Sequence, residues 1–281
     1  MGIKMEAVGV RAGGGPLMWR AVAGALGFLT RLPVGNDSDS WHAFRTTPVA
    51  FPLVGYAVGI LVAVPLALPL PAPVAAFLFP VWLYLLTGIT HADGLADLGD
   101  AMVAHGDADR RLSVMRDTTV GVGAVLLIVL AVAGLVLAGL ALAGEVPTDS
   151  VVIGSTAFEG FWSAIAVLGI VVAAEVGAKL AMVVLVCAGT ATHDGMAAEL
   201  LGEATHRDAV LPALLALPAA ALTWPHPAPA FALGAALLGA VPVWLWSRRN
   251  LGGISGDVIG ASNEIARLVG LHAGVIVWTL W

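Results

Sequence analysis

The stretch GVGAVLLIVLAVAGLVLAGLALAG, from Gly121 to Gly144, decides the fold class of this chain. It contains no charged residue, and about 20 consecutive apolar residues suffice for a helix to cross the hydrocarbon core of a bilayer. The 281-residue chain is 59% hydrophobic and 11% charged, whereas roughly a quarter of the residues of a soluble domain are charged. The sequence therefore predicts an integral membrane protein with several membrane-spanning helices.

Further apolar segments extend this prediction along the chain. They cover residues 49–69, 72–90, 151–174, 209–224, 229–246 and 268–281. Residues 175–189 either lengthen the segment before them or form another helix, and 17–32 is predicted to be an interfacial or re-entrant helix. We expect an all-α, polytopic helical bundle of about six to eight helices. A flexible lead-in at 1–16 is predicted to precede a single transmembrane domain at 17–281.

The 13 Lys and Arg residues are unevenly distributed among the loops. None lies in the turns at 68–74, 145–150 and 224–229. They fall before residue 46, in 105–117, at Lys179 and Arg207, and in 248–267. Because Lys and Arg mark the cytoplasmic side of a membrane, we expect the polar loops on the cytoplasmic face of the cell membrane. No basic patch indicates nucleic acid as a partner.

Three aspartates lie where an apolar segment meets this polar face. Asp93, Asp97 and Asp100 are spaced at i, i+4 and i+7, which places them on one face of a helix. Like charges at this spacing repel each other, and a bound divalent cation with a preference for oxygen ligands, such as Mg²⁺, offsets the repulsion. The alternative is a solvated loop with charges of both signs.

Residues suited to binding phosphate follow in the sequence. Arg110, Arg111 and Arg116 come directly after the aspartates, and carboxylates for a metal beside guanidinium groups are typical of phosphoryl transfer. A second polar cluster, at 250–268, is either a pliant glycine-rich loop that approaches phosphate or a plain connection between helices. Arg31 is either a membrane-interface anchor or a partner for a substrate phosphate.

Five segments, in this order along the chain, resemble the cobalamin synthase family, adenosylcobinamide-GDP ribazoletransferase. They are FLTRLPVG (28–35), FPLVGYAVG (51–59), HADGLADLGDAM (91–102), RRLSVMRDTTVG (110–121) and LGGISGDVIGASNEIARL (251–268). The chain departs from the family pattern at Thr119, where a cation is common, and at Lys179, where many members have Arg. The resemblance covers most of the chain.

The resemblance implies a Mg²⁺-dependent enzyme of cobalamin biosynthesis that transfers a substituted phosphate group. Its substrates would be adenosylcobinamide-GDP and α-ribazole or α-ribazole 5′-phosphate. The products would be adenosylcobalamin, or its 5′-phosphate, and GMP. The catalytic domain would be 17–281.

The predicted site residues follow from this reaction. The predicted metal ligands are Asp93, Asp97 and Asp100, and the predicted catalytic residues are Asp93, Asp97 and Asp117. The predicted substrate contacts are Arg31, His91, Arg110, Arg111, Arg116, Gly256, Asp257 and Glu264. Which aspartate accepts the proton of the attacking hydroxyl stays open. His91 either orients an aspartate or is a satisfied histidine at the membrane interface.

Two other functions compete with this one. CDP-alcohol phosphotransferases also use clustered aspartates with Mg²⁺, but their motif D-x-x-D-G-x-x-A-R requires residues that Thr90 and Asp97 replace here. A cation-coupled transporter would carry ions on intramembrane carboxylates such as Glu159 and Glu175, although no internal repeat is evident. Small residues on the helix faces leave a homo-oligomer in membrane lipid open.

Overall fold

The computed structural model describes residues 17–145, 155–193 and 195–281. The predicted lead-in at 1–16 and the start of the predicted segment 151–174 lie outside these residues. Within them the regular elements are helices, and the β-type pairing is an isolated bridge between Ala191 and Ile254. The expected all-α fold is therefore confirmed.

The helices vary widely in length, because proline and glycine interrupt several of them. They are α1 (Leu17–Leu29), α2 (Ser38–Arg45), α3 (Ala50–Val62), α4 (Val64–Ala67), α5 (Ala72–Thr87), α6 (Thr90–Val103), α7 (Ala108–Met115), α8 (Val122–Gly144), α9 (Ser155–Ala188), α10 (Met196–Glu203), α11 (Val210–Ala216), α12 (Ala228–Asn250) and α13 (Gly256–Leu280). Short 3₁₀ helices at His206–Ala209 and Leu217–Ala221 flank α11.

Among the described residues, three helices are long and apolar enough to cross a membrane. They are α8, the part of α9 from Trp162 to Ala188, and α12. Two bent pairs, α2 with α3 at 108° and α5 with α6 at 101°, would raise the number of spans to five if each pair were one span. These helices agree with the expectation of a membrane protein.

Two ambiguous apolar segments take different forms. Residues 175–189 lengthen the helix before them, since α9 runs without interruption from Ser155 to Ala188. The predicted span at 209–224 is instead divided between α11 and a 3₁₀ helix that has Pro218 in its first turn. Proline lacks the backbone N–H that would continue α11, so neither piece is long enough to cross a bilayer.

The glycine-rich segment at 250–268 is mostly helical rather than a loop. The Ser255 side chain accepts a hydrogen bond from the backbone N–H of Val258 and so caps the start of α13. Gly256 and Gly260 are therefore helical residues. The predicted span at 268–281 is the second half of α13, and the pliant loop is restricted to the residues between α12 and Gly256.

Helix α6, which bears the three aspartates, packs between α8 and α13. A Cβ atom built on Gly94 would lie 2.6 Å from the backbone oxygen of Asp257, and one built on Gly99 would lie 2.6 Å from that of Gly123. Only glycine permits backbones to approach this closely. The two glycines of the aspartate motif thus hold α6 against both neighbours.

The two ends of the bundle differ in their chemistry. At one end, the bridge between Ala191 and Ile254 joins the residues after α9 to those before α13, and the basic last turn of α12 contains Arg248 and Arg249. At the other end, the Trp278 indole donates to Glu145 at 3.2 Å, and it packs on His226 with ring centroids 4.3 Å apart. We call the first of these ends the site face.

Candidate functional site

The aspartates of α6 line a pocket of about 370 Å³ at the site face. The pocket is lined by the side of α6 that carries Asp93, Asp97 and Asp100. It is also lined by Met115 at the end of α7 and by residues 116–120 after it, which include Arg116 and Asp117. We call it the acidic pocket. The predicted metal ligands and two further predicted site residues therefore meet in one place.

A fourth carboxylate reaches this cluster from α13. The half-buried Asp97 carboxyl interacts electrostatically with the carboxylates of Asp257, Asp93 and Asp100. Burial raises the pKa of Asp257, and Asp93 raises it further, while hydrogen bonds from its own backbone N–H and from the Ser255 hydroxyl lower it. Because α6 and α13 contact each other at Gly94, residues distant in the sequence form one acidic site.

Asp100 differs from Asp93 and Asp97 because it binds the backbone at the start of α8. Its carboxylate accepts hydrogen bonds from the backbone N–H groups of Gly121, at 2.6 Å, and of Ala124, at 2.9 Å. N–H groups at the start of a helix have no acceptor within the helix itself, and Asp100 supplies one. A negative charge at this position also interacts favourably with the helix dipole. Asp100 therefore fixes the first turn of α8 against α6.

The donor set of the acidic pocket suits a hard divalent cation. Asp93 and Asp97 contribute carboxylate oxygens at a solvent-accessible face, and Asp257 adds another nearby. Mg²⁺ favours oxygen ligands, among them one or two carboxylates. Across 17–145, 155–193 and 195–281, however, no three His, Cys, Asp or Glu side chains already converge as a metal cage. The residues fit Mg²⁺ by their chemistry, and the ligand set remains a prediction.

The predicted phosphate-binding arginines are spread over different places. Arg116 lines the acidic pocket. The Arg111 guanidinium donates to the carbonyl of Ala101 at the end of α6, and it lies 5.7 Å from the ring centroid of Trp246. Arg110 is exposed on α7 and is not among the residues that line the pocket. Of the three, the structure brings only Arg116 to the carboxylates.

Arg31 lies near the bend between α5 and α6 rather than in the acidic pocket. Its backbone N–H donates to the carbonyl of Leu86 at 2.7 Å, and its side chain passes close to Gly88. Gly88 has a φ of 75°, which ends α5 and turns the chain into α6. The side chain of Arg31 is exposed and does not line the pocket.

A second, more apolar pocket of about 170 Å³ lies on the other side of the contact between α6 and α13. Three predicted substrate contacts, His91, Gly256 and Asp257, belong to its lining. Its other walls come from α1, α3, α9 and α10. We call it the side pocket. The predicted substrate contacts are thus divided between two adjacent pockets.

A buried cluster of charges, which the sequence patterns did not predict, lies deeper in the bundle. Arg267 on α13 pairs with Glu175 on α9 and with Glu264 on α13. Lys179 donates to Glu175 at 3.3 Å and to the side-chain oxygen of Asn263 at 2.7 Å. All five of these side chains are at most 3% exposed. Two carboxylates and two cations thereby balance each other in a setting where an unpaired charge is costly.

This buried cluster also includes two predicted site residues. Glu264 accepts a hydrogen bond from the Tyr84 hydroxyl at 3.2 Å and does not line the acidic pocket. His91 lies 3.2 Å from the amide nitrogen of Asn263. The sequence did contain a signal for this cluster, since Glu175 and Lys179 stand at i, i+4 within an apolar run. The side chain of Glu159 lies outside the described residues.

The fold and the acidic pocket together define a helical membrane protein with a cluster of carboxylates beside Arg116 at one end of the bundle. Residues 21–275 match the family model described as cobalamin-5-phosphate synthase, and the chain belongs to this family. This match confirms the resemblance to the cobalamin synthase family that the five sequence segments indicated. It also makes the chain a transferase rather than a transporter.

Several curated relatives are similar over nearly their whole length. The chain is 50% identical over 260 residues to the adenosylcobinamide-GDP ribazoletransferase of Halorubrum lacusprofundi, covering 92% of this chain and 98% of the relative. It is 43% identical to the enzyme of the same name from Haloquadratum walsbyi, with 92% and 98% covered. For that of Halobacterium salinarum the identity is 44%, with 73% and 94% covered. No solved structure matches the chain.

Proposed function

We propose that this protein joins adenosylcobinamide-GDP to α-ribazole, or to α-ribazole 5′-phosphate, with release of GMP. The product is adenosylcobalamin or its 5′-phosphate. The observation that supports this reaction is the acidic pocket, a cavity of about 370 Å³ that is lined by Asp93, Asp97, Arg116 and Asp117. The relatives named above have this activity in their name.

In this reaction a ribazole hydroxyl oxygen forms a bond to the phosphorus attached to cobinamide. The bond from that phosphorus to the GMP oxygen breaks, and the hydroxyl proton leaves. Arg116 is suited to bind the phosphate oxygens, because a guanidinium donates two parallel hydrogen bonds to them. Asp117, exposed at the pocket wall, is suited to accept the proton.

We propose Mg²⁺ as the cofactor, held by Asp93 and Asp97 with Asp100 or Asp257 beside them. When bound, the ion would neutralise charge on the diphosphate and on the departing GMP. Asp100 has already accepted two backbone hydrogen bonds, so Asp93 and Asp97 are the freer ligands.

We also propose that the site face lies on the cytoplasmic side of the cell membrane. Arg248 and Arg249 end α12 at this face, and Arg110, Arg111 and Arg116 lie after α6. Lys and Arg concentrate on cytoplasmic loops. This orientation would place the acidic pocket in contact with the cytoplasm, where the water-soluble GMP can leave.

The test uses protein purified in detergent with adenosylcobinamide-GDP, α-ribazole and Mg²⁺, and it follows GMP release and cobalamin formation. We expect both products from the parent, dependent on Mg²⁺. The Asp93→Asn variant should lose about 10²-fold or more, the usual cost of removing one group that stabilises charge at a reacting centre. A matched control is Asp109→Asn, since Asp109 is exposed on α7 and does not line the acidic pocket.

Three results would count against parts of this proposal. A folded parent that releases no GMP from either form of ribazole would exclude the reaction. If the Asp93→Asn variant still turns over, the proposed reaction would stand, but the reacting centre would lie away from α6. An equal loss in Asp109→Asn would show that the assay responds to charge at this face in general and not to the acidic pocket.

A further inference from the structure

The side pocket is apolar on most of its walls and polar on one. Its apolar lining includes Phe51, Met182, Leu200 and Ile259, contributed by four different helices. Its polar wall is formed by the first turns of α6 and α13, where Asp257 and His91 lie. A cavity built in this way accepts an apolar group that ends in a polar one.

The size of the side pocket limits what it can hold. Its volume is about 170 Å³, below the roughly 300–1,000 Å³ of pockets that enclose a whole small molecule. It therefore suits one compact portion of a larger ligand. An apolar bicyclic aromatic ring is such a portion, and the flat rings of Phe28 and Phe51 are among the side chains that line the pocket.

The side pocket is adjacent to the acidic pocket. Asp257 lines the side pocket, and its carboxylate interacts with those of Asp93 and Asp97 in the acidic pocket. The two pockets are separated by the contact of α6 with α13, where a Cβ atom on Gly94 would meet the backbone of Asp257. A ligand portion in the side pocket would thus have its polar end beside the carboxylates.

Helix α10 forms one wall of the side pocket, and Glu199 connects it to α2. Ala197 and Leu200 on α10 line the pocket. On the outer face of α10, Glu199 accepts hydrogen bonds from the Trp41 indole at 3.1 Å and from the Arg45 guanidinium at 3.3 Å. The shape of the pocket therefore depends on the docking of α10 against α2.

We propose that the side pocket binds the apolar base of the nucleoside substrate and directs its ribose hydroxyl towards the carboxylates. This inference rests on the proposed function. The base of α-ribazole is dimethylbenzimidazole, a bicyclic aromatic ring with two methyl groups and no exocyclic hydrogen-bonding groups. The guanine of adenosylcobinamide-GDP fits less well. If its ribose lay at the same polar wall, its amide and amino groups would be left without partners against Phe51, Met182 and Ile259.

The decisive variant narrows the side pocket without touching a charge. In Ala197→Phe, a ring is added to the half-buried lining residue of α10. The matched control is Ala198→Phe, the same substitution at the next residue, which is also half-buried and does not line the pocket. Binding of α-ribazole to each protein is measured by equilibrium dialysis without the second substrate, and KM is measured for both substrates.

We expect Ala197→Phe to weaken α-ribazole binding and to raise its KM at least tenfold, while KM for adenosylcobinamide-GDP stays within twofold of the parent. Ala198→Phe should behave like the parent in both assays. If Ala197→Phe binds α-ribazole as the parent does, the base binds elsewhere. A raised KM for adenosylcobinamide-GDP alone would assign the pocket to guanine instead and overturn the proposal.

The two proposals fail in different ways. If the reaction itself is wrong, the parent and Ala198→Phe release no GMP, whatever the side pocket does. If only the base site is wrong, the parent turns over normally and Ala197→Phe has an unchanged KM for α-ribazole. A circular-dichroism melt of each variant in detergent confirms that a loss of binding is not a loss of fold.

Discussion

The three aspartates of α6 are alike in sequence and different in structure. Asp93 is exposed and Asp97 is half-buried among like charges, whereas the Asp100 carboxylate accepts hydrogen bonds from two backbone N–H groups at the start of α8. Their spacing predicted a shared helix face, and they do share one. The spacing did not reveal that Asp100 also caps another helix, because that contact depends on how α8 returns to α6.

The first prediction separates these roles by stability. Asp100→Asn leaves one of the two N–H donors of α8 without an acceptor, so the free energy of unfolding should fall by about 1–2 kcal/mol. Asp97→Asn relieves repulsion between carboxylates and should be at least as stable as the parent. Chemical unfolding in detergent with EDTA measures both, and an equal loss in the two variants would contradict the assigned roles.

The second prediction concerns the buried charge cluster. Lys179→Met leaves Glu175 and Glu264 with Arg267 as their remaining cation, and removing one partner of a buried ion pair costs about 3–5 kcal/mol. Lys179→Arg retains the charge and should stay close to the parent in melting temperature. Thermal unfolding in detergent compares them. A Met variant as stable as the Arg variant would mean that Lys179 does not balance this cluster.

At the scale of elements, the sequence predicted the long apolar helices well and their junctions poorly. The run from Gly121 to Gly144 corresponds closely to α8, since an apolar run of this length has few other structures available. In contrast, the many glycines at 250–268 suggested a loop, but helix α13 begins within this segment, at Gly256. The cap at Ser255 and packing against α6 outweigh the low helix propensity of Gly260.

The third prediction tests the contact between α6 and α13. Gly94→Ala adds a Cβ atom that would lie 2.6 Å from the backbone oxygen of Asp257, so the two helices must separate. A displacement of about 1 Å at a reacting centre costs up to 10²-fold in rate, and we expect a loss of that order in GMP release. Gly234→Ala is the control, because a Cβ atom there meets nothing within 4 Å.

The fourth prediction concerns α10. Glu199→Ala removes one acceptor of the Trp41 indole and of the Arg45 guanidinium, and α10 should then dock less firmly over the side pocket. We expect a several-fold rise in KM for α-ribazole with little change in the melting temperature, because an exposed ion pair contributes about 1 kcal/mol or less. An unchanged KM would show that this anchor does not shape the pocket.

At the scale of the whole molecule, the Lys and Arg residues of the loops are concentrated at one of the two ends of the bundle. The loops rich in Arg meet at the site face, and Glu145, Trp278 and His226 meet at the opposite end. The sequence predicted this sidedness because charge in loops is visible without a structure. It could not predict that α6 and α13 would bring Asp97 and Asp257 together, since no local pattern encodes a contact across the bundle.

The fifth prediction tests this sidedness in membranes. Cys187 is the single cysteine of the chain, so Cys187→Ser gives a background for labelling. In that background, Thr118→Cys lies at the acidic pocket, and Trp224→Cys lies in the exposed turn before α12. A membrane-impermeant maleimide should label the first only in inside-out vesicles and the second only in right-side-out vesicles. Labelling of both from one side would exclude the proposed orientation.

The buried charge cluster has a consequence for how the chain is made. Glu175 and Lys179 pair within α9, and Glu264 and Arg267 pair within α13. Each helix is therefore electrically neutral at this level before the two helices meet, and so neither has to enter the bilayer with an unpaired charge. The bond from Arg267 to Glu175 forms only when α13 docks against α9. The docking of α13, which is synthesised after α9, thus completes the buried charge cluster.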